Sequence, residues 1–378
     1  MSPSRFSEPI YVTRPLLPPL EELTRRLAQV WDERWLTNDG PQLKSLTERI
    51  GQYLAVENVS MFNNGTIALL AAVRALDMTG EVITTPFTFP ATAHSIRWSG
   101  AMPVFADIDP VTMTLDAAKV EALITPKTTG ILAVHVYGIP CDVAALKQVA
   151  DRNGLKVVYD AAHAFGTRLD GAGIGTFGDA SMFSFHATKL FHTAEGGALT
   201  CPNPLHKEKF DHFKNFGILN QEEVGEVGIN GKMNELQAAL GHVVLDHMAG
   251  ELRARQAVIA RYRRRLAGVP GLSLMPEPGN VVSSCQYFVV RIDEREFGAS
   301  RDVVFDRLKE YNVFARKYFY PLCSDYACYK SLPSSAPGRL PVAGRVVKEV
   351  LCLPLYGTLG LDAVDTICDL VVGVQLRA

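Results

Sequence analysis

Between Thr66 and Ala161 the chain reads TIALLAAVRAL (66–76), EVITTP (81–86), MPVFADI (102–108), GILAVHVYG (130–138), LKQVADRNG (146–154) and LKVVYDA (155–161). Short apolar runs rich in β-branched residues alternate there with segments of helical spacing. That alternation specifies a parallel sheet covered by helices on both faces. VITTP, PVFADI, ILAVHV and KVVYDA are nearly continuous apolar runs, as strands buried on both sides require. Chemistry is then expected at the C-terminal ends of these strands.

Working outward, NELQAALGHVVLDHMAGELRARQAVIARYRRRLAGV predicts one long helix from about Asn234 to Val269, in which Arg and Glu become dense after Gly250. The domain boundary is placed there: residues 1–249 as a large domain with an N-terminal arm, and 250–378 as a smaller α+β domain carrying SSCQYFVVRI and two helices. RYRRRL reads as a solvated helix face rather than a binding patch. The 378 residues are 47% hydrophobic and 21% charged, which excludes disordered and fibrous classes. Thirty-eight basic against 40 acidic side chains leave no electrostatic footprint for nucleic acid or anionic lipid. Seven cysteines without CxxC or zinc-ligand spacing read as buried thiols, with no metal site expected. The N-terminus lacks a signal-sequence pattern and no long apolar run occurs, so a cytoplasmic protein is expected.

Four strings carry chemistry. GIGTFG (173–178) matches a dinucleotide fingerprint, but it follows the polar turn RLDGA and precedes a strand, so no helix start is available for a pyrophosphate and a hairpin turn is expected. In NNGTIALLAAVRAL, Gly65 and Thr66 open an Ala/Leu-rich helix, which suits either a bound phosphate or simple N-capping. VVYDAAHAFG ends a buried strand in Asp160, with His163 three residues on. A carboxylate there either meets a cation or donor, such as a protonated ring nitrogen, or caps the following turn. In SMFSFHATKLFHTAEGGAL, Lys189 follows Ser184 by five residues among apolar and small polar neighbours. That setting disfavours the ammonium and would make the amine available for a Schiff base, although an isolated lysine is ordinarily a surface residue.

The order of these elements, with the aromatic-rich TTPFTFPAT between them, resembles a fold-type I pyridoxal phosphate enzyme. More specifically, WLTNDGP, NNGTIAL, TTPFTFPATAHSI, GAMPVFADIDP, HVYGIPCD, DAAHAFG, GTFGDASMFSFHATK, EGGAL, GINGKMNELQAALG, RKYFYPL and LCLPLY are similar to strings of the DegT/DnrJ/EryC1/StrS sugar aminotransferases, over nearly the whole chain. The resemblance implies a mostly parallel seven-stranded sheet, pyridoxal 5'-phosphate as cofactor, and a homodimer with two active sites at its subunit interface. It also implies ping-pong transfer from L-glutamate to a nucleotide-linked ketosugar.

Position by position, the resemblance gives Lys189 the covalent and proton-moving role and Asp160 the ring nitrogen. Phe89 would stack on the ring and His163 would lie beside its phenolic oxygen, unless both are core residues. Gly65, Thr66 and Ser184 would cradle the phosphate, joined by Asn230 from the partner subunit; Lys232 receives no role. SFHATK, with Tyr318 and Tyr320, resembles the branch that aminates C4, in particular enzymes making dTDP-4-amino-4,6-dideoxyglucose for deoxysugar pathways such as O-antigen or lipopolysaccharide synthesis. His186, Tyr318 and Tyr320 are thus expected at the substrate, the alternative being packing positions. A C3-aminating or UDP-linked 4-ketosugar enzyme is the nearest other outcome. Dehydratases of this fold carry histidine in place of the lysine, which Lys189 argues against, and a non-catalytic binding protein would not need Lys189, Asp160 and Ser184 together.

Overall fold

The computed structural model describes residues 4–375. Seven strands form the main sheet: β1 (Asn58–Phe62), β2 (Glu81–Thr84), β3 (Met102–Phe105), β4 (Thr128–Val134), β5 (Lys156–Asp160), β6 (Ala180–Ser184) and β7 (Gly197–Cys201). Their order is β1-β7-β6-β5-β4-β2-β3, and only β7 runs antiparallel to its neighbours. The side-chain period of two divides the strands between two cores. Leu132 and Val158 face one with Leu69, Ala72 and Phe210, while Ile131, Ala133, Val157 and Tyr159 face the other with Leu146 and Val149. Both faces are therefore dry, which is why these runs lack the polar alternation of a half-exposed strand.

Register places the chemistry. Val134 pairs with Asp160 and Asp160 with Met182, so the last residues of β4 and β5 and the middle residue of β6 lie side by side, with Ser184 just beyond them at the same edge. Helices begin at the same edge. Asn64 caps the Gly65–Ala75 helix through Oδ1, which accepts from the Ile67 amide at 2.9 Å. Pro90, at the first position of the Pro90–Trp98 helix, brings a preset φ and no N–H to satisfy.

The long helix spans Glu235–Leu266, started by a capping box between Asn234 and Gln237. It runs unbroken through Gly250: Ala238, Val244 and Met248 pack beside the main sheet, and Val258, Tyr262 and Leu266 pack in a second core. That core includes a three-stranded antiparallel sheet of β8 (Leu272–Leu274), β9 (Phe288–Ile292) and β10 (Val350–Leu353) and the Leu361–Gln375 helix. The N-terminal arm joins it too, Ile10–Tyr11 pairing in parallel with Val313–Phe314.

Three sequence details resolve locally. GIGTFG is not itself the hairpin turn: only its Gly173 joins the hairpin of Arg168–Leu169 against Ala172–Gly173, which turns at Asp170 and Gly171, both at positive φ as a two-residue turn of this hand requires, while Ile174–Thr176 form a 3-10 turn leading to β6. The RYRRRL arginines are not merely solvated: Arg261 and Arg265 pair with Asp365, Arg265 also with Asp369, and Arg263 with Glu277. They tie the long helix to its own chain. Six cysteines are buried, but Cys328 is exposed. Among the described residues no helix is long and apolar enough to cross a membrane.

Candidate active site

A cavity of about 620 Å³ opens at the strand-end edge. Its wall includes Gly65, Thr66, Phe89, Asp160, His163, Ser184, His186, Lys189 and Tyr318, so nine residues singled out from sequence come together there. Asn230 and Tyr320 do not line it. Asn230 is exposed, its carbonyl 3.5 Å from Asn63 Nδ2, and Tyr320 points outward with the Arg301 guanidinium over its ring.

Asp160 is buried at the end of β5, and its charge is met on both oxygens. Thr92 donates to Oδ2 at 2.8 Å and the Ala162 amide to Oδ1 at 3.0 Å. Since Thr92 spends its one hydroxyl proton on Asp160, its 2.8 Å contact with Thr88 is a bond that Thr88 donates. Burial raises the carboxyl pKa, opposed by the Thr92 and Ala162 hydrogen bonds and the nearby Lys189.

Lys189 lies on the loop leaving β6. Burial lowers its pKa from 10.5 to about 8, with Asp160 pulling the other way. The amine is thus largely deprotonated only above about pH 8, yet far more available than an ordinary lysine. His163 is held neutral, its pKa pushed well below 6.5 by burial first and by Lys189 second. Its ring stacks on Phe319 at 5.7 Å and meets the edge of Tyr287 at 5.1 Å, while Nδ1 is buried without a hydrogen-bond partner.

At the mouth, His186 Nδ1 accepts from the Thr188 amide at 3.2 Å and lies 2.8 Å from its hydroxyl. That places the ring proton on Nε2, 3.6 Å from Glu195 Oε1. Opposite, the Gly65–Ala75 helix starts flush against β6: a Cβ at Gly65 would lie 3.1 Å from Met182 Sδ and 3.2 Å from Ser184 Cβ. A Cβ at Gly197 would lie 2.7 Å from the Gly65 nitrogen, so β7 also passes close beneath this helix start. Asn64 satisfies the Ile67 amide only, leaving Gly65 and Thr66 amides as donors toward an anion.

Sequence reading passed over Thr88, Thr92, Glu195, Tyr287 and Phe319, all close to this chemistry. Thr88 and Thr92 stand four apart in the quoted TTPFTFPAT stretch, a spacing that puts both on one helix-start face. Phe319 stands between Tyr318 and Tyr320 in the quoted RKYFYPL string, whereas Tyr287 comes from a distant segment with no local signal.

Comparison with known proteins agrees with this geometry. The family model of the DegT/DnrJ/EryC1/StrS aminotransferases matches residues 20–372. A dTDP-4-amino-4,6-dideoxy-D-glucose transaminase of Shigella dysenteriae is 44% identical over 362 residues, covering 96% of this chain and 98% of the relative. An Escherichia coli transaminase of the same name is 43% identical over 367 residues, with 96% and 98% covered. Among solved structures, DesI, crystallised in the presence of its TDP-sugar product, superposes with a TM-score of 0.94 at 37% identity, covering 99% of this chain and 95% of that one. With a seven-stranded sheet presenting a lysine and a carboxylate at its strand ends, and relatives aligned almost end to end, the chain belongs to the DegT/DnrJ/EryC1/StrS aminotransferase family.

Proposed function

We propose that this aminotransferase uses pyridoxal 5'-phosphate to move an amino group from L-glutamate to the C4 keto group of dTDP-4-keto-6-deoxyglucose, giving dTDP-4-amino-4,6-dideoxyglucose. The observation that carries the reading is the convergence of Lys189, Asp160 and the Gly65–Ala75 helix start on one cavity, in a chain 44% identical to a transaminase named for that product.

The residues fit the cofactor. A phosphate suits the amides of Gly65 and Thr66 and the Ser184 hydroxyl. A protonated ring nitrogen suits Asp160, whose buried charge calls for a cation. Phe89, at the cavity wall and 57% exposed, offers an aromatic face, and the unpartnered Nδ1 of His163 awaits a polar group. When bound, the cofactor supplies the electron sink for a carbanion. Asp160 then keeps a proton on the ring nitrogen, and Lys189, with its lowered pKa, takes and returns the proton at the substrate carbon in both half-reactions. Neutral His163 donates or accepts one hydrogen bond without adding charge.

The working form is a homodimer in this reading. Asn230 is exposed beside Asn63 rather than in its own chain's cavity, consistent with service to a partner's site. Phe216, Val224 and Val227 are exposed on the preceding segment, Val227 at 82%, and burying such apolar side chains favours association. His186 and Tyr318 at the wall would meet the sugar. Offered L-glutamate with dTDP-linked 4-keto and 3-keto 6-deoxysugars, the enzyme should aminate the 4-keto compound far faster, with the position read by NMR. Preference for the 3-keto sugar would remove the C4 assignment.

A further inference from the structure

The loop between β6 and β7 carries Lys189 outside any helix or sheet; the Lys189 amide donates to the His186 carbonyl at 2.8 Å within the loop, and other peptide groups need partners from elsewhere. Gln286, only 2% exposed, supplies two of them: its Nε2 donates to the Thr188 carbonyl at 3.0 Å and its Oε1 accepts from the Leu190 amide at 2.8 Å. Those two groups belong to the peptide bonds on either side of Lys189. One side-chain amide, 97 residues on in sequence, therefore grips both peptides of the residue whose amine faces the cavity.

Gln286 is itself held in a short strap. Ser284 Oγ donates to the His163 carbonyl at 2.6 Å, and the Tyr287 ring meets the His163 ring edge to face. The Cys285 carbonyl accepts from the fully buried Arg255 at 3.3 Å, and Arg255 Nε pairs with Glu251 at 2.6 Å. The strap thus fixes His163 through Ser284 and Tyr287 and the lysine loop through Gln286, all anchored on the long helix.

We propose that Gln286 is the positioning residue for the reacting amine: by clamping the peptides flanking Lys189 it holds the amine inside the cavity, aimed at the substrate carbon. The inference rests on Lys189 being the reacting amine. The other titratable groups lining the cavity are Asp160, His163, His186, Glu195, Tyr287 and Tyr318, and substitution of Gln286 leaves all of them in place.

The test uses the full-length chain and Gln286→Met, which keeps length but removes donor and acceptor. Modification of Lys189 by trinitrobenzenesulfonate across pH, read by peptide mass spectrometry without cofactor, should give a midpoint near 8 in the wild type. In Gln286→Met the loosened loop admits water, and the midpoint should rise by about one unit or more. The kcat should fall about 10- to 100-fold with KM for both substrates little changed, as for a misaligned reacting group. Ser284→Ala, which cuts the strap at His163 instead, should leave the midpoint in place. If Gln286→Met does not fold, Gln286→Asn draws the amide back from both peptides and should shift the midpoint in the same direction. A folded variant with the wild-type midpoint, or a shifted midpoint with unchanged kcat, overturns the proposal. Because the labelling needs no substrate, a wrong reaction assignment would show separately, as an unaminated sugar panel beside a midpoint that still shifts.

Discussion

Four buried histidines set the residue-scale electrostatics with one sign. Burial lowers the pKa of His163 and His192, of His135 to about 3 and of His242 to about 4. Below pH 6.5 the unfolded chain takes up protons that these folded rings refuse, so stability falls as pH falls through that window. For His135 the loss amounts to about 2 kcal/mol at pH 5, from 1.36 kcal/mol per unit. His135→Gln should therefore show a shallower decline in urea-unfolding free energy between pH 7 and pH 5 than the wild type; equal declines would mean that His135 is not the buried neutral ring described. At this scale Lys189, Asp160 and Ser184 were legible because each sits in a string whose order along the chain is informative. Gln286 was not. A glutamine in SSCQYF carries no signal, and its role exists only once the fold brings it to the peptides beside Lys189.

At the scale of elements, the site is built from strand ends and helix starts; the strands were readable from apolar runs and the first helix start from NNGT. What patterning could not show is lateral register. The pairing of Val134, Asp160 and Met182 decides which side chains share a wall, and periodicity is silent about it. Tyr320 illustrates the same gap. Two residues from Tyr318 in one string, it faces out toward Arg301 while Tyr318 faces the cavity. The Pro90–Trp98 helix contributes Thr92, whose hydroxyl bonds the Asp160 carboxylate. A hydrogen bond to a charged acceptor is worth about 1.5–3 kcal/mol, so Thr92→Val should weaken cofactor binding about tenfold or more while the fold persists. Absorbance titration with pyridoxal 5'-phosphate measures it, and an unchanged dissociation constant would separate Thr92 from the carboxylate's function.

For the whole molecule, the long Glu235–Leu266 helix spans both cores, and the sequence reading places the domain boundary inside that same helix, near Gly250. Its residues up to Met248 pack beside the main sheet and those from Val258 pack in the second core. The expectation of a homodimer, and of Asn230 serving a partner's site, comes from the family resemblance alone. In the proposed homodimer, Asn230→Ala should leave association intact but lower cofactor retention on dialysis, and a fully loaded variant or an active monomer would contradict a site shared between subunits. The central claim is transfer of nitrogen to sugar carbon through Lys189. Its most direct measurement follows nitrogen-15 from labelled L-glutamate into dTDP-4-keto-6-deoxyglucose by NMR, for the wild type beside Lys189→Ala. The wild type should deliver the label to C4, and the variant should lose at least about a thousandfold in rate. Label appearing at C3, no transfer by the wild type, or near-normal transfer by Lys189→Ala would each contradict it.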